Sequence, residues 1–234
     1  MRNLFTLPNF LTCCNLLCGA VACYYAFQGN YDVTFCLICA GAVFDFFDGF
    51  AARLTHQSSP IGKELDSLAD DITFGLAPAA CVFSLLESVC ANMPSAYATW
   101  LPFCALLIAV FSALRLAKFN LDERQTLGFI GLPTPANAFF WFAFAYSFGP
   151  QIPQTNLSVA LLIGGILLSS FLLVSEIPMF ALKFKNFSWK DNALRYLFLL
   201  ACLILSLLLK ERAFVYITPL YILTSVGQNL FSKR

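Results

Sequence analysis

Hydrophobic residues run through this chain in stretches of membrane-spanning length, broken by proline, glycine and short clusters of charge. Among the apolar stretches, long ones without a charged residue lie near 6–31, 88–114 and 157–175, and about 20 apolar residues suffice to cross a bilayer as a helix. Segmentation at the breaks predicts eight helices, roughly 7–28, 31–53, 62–87, 98–117, 135–149, 157–177, 193–210 and 213–230. The first run has no small-residue cleavage site after it and reads as a retained helix.

Loop charges test that count. With eight crossings both termini share one side, and that side collects Arg2, Arg53, Lys63, Arg115, Lys118, Arg124, Lys183, Lys185, Lys190, Arg195, Lys233 and Arg234. The other side holds only Lys210 and Arg212. Excess Lys and Arg mark the cytoplasmic face, so both termini are expected there. The stretch Lys183–Lys190, with Phe184, Phe187 and Trp189 interleaved, reads either as an interfacial segment against anionic headgroups or as an ordinary basic loop.

Composition agrees with this reading. At 59% hydrophobic and 12% charged, with a mean hydropathy of +0.76, the chain carries more apolar surface than a soluble domain of 234 residues can bury. A net charge of +1 gives no electrostatic footprint for nucleic acid, and the 26 phenylalanines are expected to face lipid. The ten cysteines lie mostly within apolar runs, including the lone Cys36-x2-Cys39 pair, and read as buried thiols. The expected fold is a single all-α domain over 1–234, a multi-pass helical bundle of the cell membrane.

One region is out of character with such a chain. Six of the thirteen acidic residues, Asp45, Asp48, Glu64, Asp66, Asp70 and Asp71, fall between 45 and 71. Ionised carboxylates near hydrocarbon are costly and repel one another, so such a cluster calls for cations. Asp45 and Asp48 stand i, i+3 on the second predicted helix, and Asp66 and Asp70 stand i, i+4 on the third. Each pair shares a helical face, and a short loop lets the four carboxylates converge. All-oxygen ligands suit Mg²⁺ or Mn²⁺, and two such ions would bind a diphosphate. Gly49, Ala51, Ala52 and Gly62 remove bulk beside the carboxylates, for a nucleotide or for close helix packing. Arg53 is placed to meet phosphate oxygens or to pair with an aspartate.

These residues compose Asp45-x2-Asp48-Gly49-x2-Ala52-Arg53-x8-Gly62-x3-Asp66-x3-Asp70, which resembles the signature of the CDP-alcohol phosphatidyltransferase family at all eight fixed positions. The resemblance implies that Asp45, Asp48, Asp66 and Asp70 bind two divalent ions, with Asp70 also serving as general base. It implies that the CMP moiety lies beside Gly49, Ala52, Arg53 and Gly62, with Asn9 of Pro8-Asn9-x2-Thr12 nearby, and that the enzyme is a homodimer. Asp71 lies outside the signature and receives no role.

Two later segments, Phe111–Asn120 (FSALRLAKFN) and Gly131–Ala136 (GLPTPA), with the run Asp70–Pro78, are similar to segments of phosphatidylserine synthases; beyond residue 138 the resemblance is one of topology. It implies CDP-diacylglycerol and L-serine as substrates, with Arg115, Lys118 and Asn120 as acceptor-site candidates. Arg115 and Lys118, i, i+3, would hold a carboxylate, but they suit glycerol 3-phosphate or inositol phosphate equally and also fit as positive-inside anchors. A carboxylate-lined divalent-cation transporter is the reading from another class; such sites sit near the midplane between repeated halves, and no repeat is evident here.

Overall fold

A computed structural model describes residues 6–57, 59–93, 97–122, 124, 129–182 and 188–232. These residues are almost wholly helical: α1 Leu7–Phe27, α2 Tyr31–Thr55, α3 Pro60–Asp70, α4 Ala77–Cys90, α5 Leu107–Leu121, α6 Thr134–Phe148, α7 Asn156–Val174, α8 Trp189–Leu209 and α9 Ala213–Ser232. Six stretches are long and apolar enough to cross a membrane. The last of them, Asn192–Leu230, contains both α8 and α9, while α6, at 15 residues, is shorter than the other crossings. With α3 and α4 forming one span, the eight predicted segments appear in order. The chain is an all-α polytopic membrane protein. Residues 183–187 of the basic stretch lie outside the described residues.

Local chemistry sets the helix ends that matter for the site. The Thr6 hydroxyl accepts the Asn9 N–H and opens α1, and the Ser59 hydroxyl accepts the Gly62 N–H at 3.1 Å and opens α3, with Pro60 as its first residue. Helix α2 stops where His56 takes left-handed backbone angles (φ 54°), turning the chain back toward Ser59. This reversal sets the first turns of α3 beside the last turns of α2.

The central span departs from the regular helix expected over 62–87. Between α3 and α4 it opens into a π-helical turn, Asp71–Leu76, a form found mostly as single turns at functional sites. Neighbouring helices account for it. The Thr73 hydroxyl donates to the backbone carbonyl of Asn15 in α1 at 3.1 Å, and Gly75 backs onto Asp71 and onto Ser112 of α5. No side chain fits in this approach: a Cβ on Gly19 would stand 2.2 Å from Thr73 Oγ1 and 2.8 Å from its Cα, and one on Gly41 of α2 would stand 2.8 Å from Thr73 Cγ2.

Helix α4 runs through the middle of the bundle, and Val82, Leu85 and Leu86 pack there with Phe74, Ile108, Phe142 and Ile166. A second cluster, Leu132, Leu173, Met179, Phe180, Phe198 and Tyr221, joins α8 and α9 to the rest. Beside it, two-residue strands β1 (Phe129–Ile130) and β2 (Pro178–Met179) pair antiparallel, and Gly131 (φ +79°) crosses the end of α7 where a Cβ would meet the Leu173 carbonyl at 2.5 Å. The outer surface presents Phe10, Leu17, Phe46, Leu161, Leu168, Phe171 and Leu207, as a lipid-facing surface requires.

The glycine contact gives a paired test. Gly19→Ala overpacks the α1–π-turn contact and should destabilise the protein by about 1–3 kcal/mol, whereas Gly164→Ala in α7, where a Cβ meets nothing within 4 Å, should leave the midpoint unchanged or slightly raised. Thermal unfolding of the two variants in detergent checks both.

Candidate active site

The α2–α3 reversal brings the aspartates together. One carboxylate oxygen each from Asp45, Asp48 and Asp66 lie within 4.8 Å of one another. The Asp70 carboxyl joins them, with Asp45 within hydrogen-bonding reach of both Asp66 and Asp70. Carboxylates this close repel by roughly 3.5 kcal/mol per ionised pair at an effective dielectric constant of about 20. Among the described residues no lysine or arginine pairs with any of the four, the ion pairs being Lys118–Glu176, Arg124–Asp122 and Arg124–Glu176.

Donors from α1 reach two of the four. The Thr12 hydroxyl lies 2.6 Å from Asp48 Oδ2, and Asn15 Nδ2 donates to Asp70 Oδ1 at 3.4 Å. Asp66 Oδ1 is buried without a hydrogen-bond partner. An orphaned buried carboxylate oxygen facing two other carboxylates fits a hard divalent cation, and Asp45, Asp48 and Asp66 could hold one.

A cleft of about 210 Å³ opens beside them. Asn9, Gly49, Ala52 and Gly62 line it together with Thr12, Asp48, Ser59, Lys63 and Asp66. A Cβ on Gly49 meets nothing within 4 Å, so protein packing does not require a glycine there. A Cβ on Gly62 would stand 3.0 Å from Asn9 Oδ1 and 3.1 Å from Ser59 Oγ, a tight fit that those side chains would have to relieve by shifting. Arg53 is exposed just past Ala52 and is not part of the cleft wall. Lys63, whose ammonium donates to the Asn120 carbonyl at 3.0 Å, supplies the cleft with a cation.

The acceptor-site candidates part company. Arg115 is buried at 6% exposure, within electrostatic range of Asp70, with its guanidinium 5.0 Å from the Phe119 ring and an Nη 3.4 Å from the Thr134 hydroxyl. Its Nε has no partner, nor does Ser112 Oγ one turn earlier on α5; on α6, both amide atoms of Asn137 are also buried without one. Lys118 instead pairs with Glu176 and donates to the Val174 carbonyl. Its hydrogen bond holds the Glu176 carboxyl below its ordinary range. The Asn120 amide donates to Ser67 Oγ at 2.8 Å, tying the end of α5 to α3.

Comparison with known proteins decides the family. The CDP-alcohol phosphatidyltransferase model matches residues 5–171. The chain belongs to that family. It is an enzyme of phospholipid biosynthesis, in a family of phosphotransferases. It is similar to proteins named CDP-diacylglycerol--serine O-phosphatidyltransferase from Bacillus subtilis (34% identical; 62% of this chain, 77% of the relative) and Methanocaldococcus jannaschii (32%; 72% and 74%). A protein of that name from Helicobacter pylori strain J99 is 29% identical over 99% of this chain and 90% of its own length.

Within this family member, sequence reasoning left Asn15 unnoticed, gave Thr12 no role and counted Lys63 only as a loop charge. A signal existed: Asn9, Thr12 and Asn15 recur every third residue on an otherwise apolar helix, and all three are buried. Metal binding is directly testable. Asp48→Asn and Asp66→Asn should each weaken Mn²⁺ binding at least about tenfold, followed by the EPR signal of free Mn²⁺, while Glu64→Gln, at an exposed position outside the cluster, should bind like the parent.

Proposed function

We propose that the protein transfers the phosphatidyl group of CDP-diacylglycerol to the hydroxyl of L-serine, giving phosphatidylserine and CMP. The observation that carries this reading is the convergence of Asp45, Asp48, Asp66 and Asp70 beside a cleft whose wall at Gly49 is open. Similarity to three relatives named for the serine reaction supports the acceptor.

In this reading Asp45, Asp48, Asp66 and Asp70 hold two divalent ions, Mg²⁺ or Mn²⁺, which when bound neutralise the diphosphate. Gly49 and Ala52 leave room for the cytidine nucleotide to lie against α2, Asn9 and Gly62 form the facing wall, and Lys63 and the long, exposed side chain of Arg53 meet phosphate oxygens. The acyl chains stay in the bilayer.

Serine approaches from the π-turn, α5 and α6, elements other than those lining most of the cleft. Arg115 takes its carboxylate, and the unsatisfied hydroxyl of Ser112 one turn earlier on α5 supplies a further hydrogen bond. Asp70 accepts the hydroxyl proton as that oxygen bonds to the lipid-side phosphorus. The bond from that phosphorus to the bridging oxygen breaks, and CMP leaves with it. The concentration of Lys and Arg on one side supports a cytoplasmic active site.

The test is CMP release by purified protein with CDP-diacylglycerol and Mn²⁺ or Mg²⁺, offered L-serine, glycerol 3-phosphate, inositol or inositol phosphate. Release is expected with serine alone and is lost in Asp70→Asn; release with another acceptor overturns the serine assignment, and release with none overturns the reaction. Gly49→Leu should raise the KM for CDP-diacylglycerol about tenfold or more, the loss of roughly 1.4 kcal/mol of binding, without lowering the unfolding midpoint.

A further inference from the structure

The π-turn and the two α1 donors have a joint explanation that rests on the proposed reaction. We infer that Thr12 and Asn15 are positioning residues: Thr12 fixes the Asp48 carboxylate, and Asn15 fixes the Asp70 carboxyl, each leaving its second oxygen for the site. They stand i, i+3 on α1, one turn apart on one face, at 3% and 0% exposure.

A hydroxyl has one proton to give. Thr12 Oγ1 lies 3.0 Å from the Pro8 carbonyl within its own helix and 2.6 Å from Asp48 Oδ2. The shorter contact, to a charged acceptor, is the stronger, so Thr12 donates its hydroxyl hydrogen bond to Asp48. With Oδ2 engaged, rotation about the Asp48 side chain is arrested.

Asn15 is held from the other side. Its carbonyl accepts from Thr73 in the π-turn, the residue that follows Asp70 by three. Its amide donates to Asp70 Oδ1, and its own Oδ1 sits against Gly41, where a Cβ would come within 3.0 Å. An asparagine gripped at its backbone and backed by a bare helix has few other places for its amide. Gly19, Gly41 and the π-turn therefore share one task, which is to hold α1 close enough for this strip of donors to reach two aspartates contributed by different helices.

Such partners orient metal-binding groups, and their loss typically costs about 10–100-fold in metal affinity or activity. The experiment compares Thr12→Val, Thr12→Ser, Asn15→Leu and Asp70→Asn in the full chain. It reads Mn²⁺ binding by EPR without substrate, kcat and KM for CDP-diacylglycerol and L-serine, and the unfolding midpoint. Thr12→Val should bind Mn²⁺ about tenfold more weakly, and Thr12→Ser, which keeps the hydroxyl, should return to within about twofold of the parent. Asn15→Leu should lower kcat at least about tenfold while both KM values move less than about twofold.

If Asn15→Leu does not fold, Asn15→Ser replaces it, keeping a polar group too short to reach Asp70, with the same expected loss of kcat. Parent-like Mn²⁺ binding in Thr12→Val, equal losses in Thr12→Ser and Thr12→Val, or a loss at Asn15 confined to KM overturns the inference. Undiminished turnover with serine in Asp70→Asn would instead overturn Asp70 as the general base, and no CMP release by the parent with any acceptor would overturn the reaction itself, so these failures are told apart from failure of the inference.

Discussion

Four carboxylates within a membrane-protein bundle, paired with no lysine or arginine among the described residues, are the constraint around which this bundle is arranged. Their mutual repulsion opposes folding, and burial in a low-dielectric interior makes it worse. A protein that wanted only helix packing would place apolar residues there. A divalent cation would convert the same charges into ligands, and the orphaned Asp66 Oδ1 is one the protein does not satisfy from within. The capping at Ser59 and the left-handed His56 serve this arrangement, since without that reversal Asp66 and Asp70 would not face Asp45 and Asp48.

Close packing around the cluster follows from the same need. Side chains that long-range electrostatics would scatter must be held by short-range contacts, and α1 provides them at the cost of three bare positions. Gly19 and Gly41 bring α1 and α2 onto the π-turn, and Gly62 brings α3 onto Asn9. Each glycine weakens its helix by roughly 1 kcal/mol relative to alanine, a penalty repaid by packing and hydrogen bonds that a Cβ would exclude. Gly49 is different in kind, because nothing in the protein fills the space it leaves.

Sequence made the four aspartates, the eight helical segments and most of the cleft wall legible, because each depends on spacing along one helix or on a turn between two. The π-turn was not legible. It arises from contacts of Thr73 and Gly75 with α1 and α5, residues far away in sequence, and no local propensity marks it. The acceptor candidates show the same limit. Arg115 and Lys118 look equivalent at i, i+3, but Arg115 lies a turn deeper and is buried over aromatic rings, while Lys118, at the mouth of α5, meets Glu176 from the segment after α7. Which partner a long cationic side chain finds is decided by elements that sequence spacing does not relate.

The division of the cluster between two sets of elements bears on how one site can serve two substrates of opposite character. Asp48 and Asp66 line the cleft built by α1, α2 and α3, beside the open wall at Gly49. Asp70 is the last residue of α3, and the π-turn that follows it packs against α5 and α6, which carry Arg115, Thr134 and Asn137. In the proposed reaction the lipid-borne nucleotide is thus met by one half of the cluster and the water-soluble acceptor by the other, with Asp45 touching both Asp66 and Asp70 between them. A regular helix would carry α4 on from α3 at another angle and another register. In that proposed reaction, the wide turn after Asp70 is the joint at which the half that would handle the phosphates is fitted to the half that would handle the acceptor.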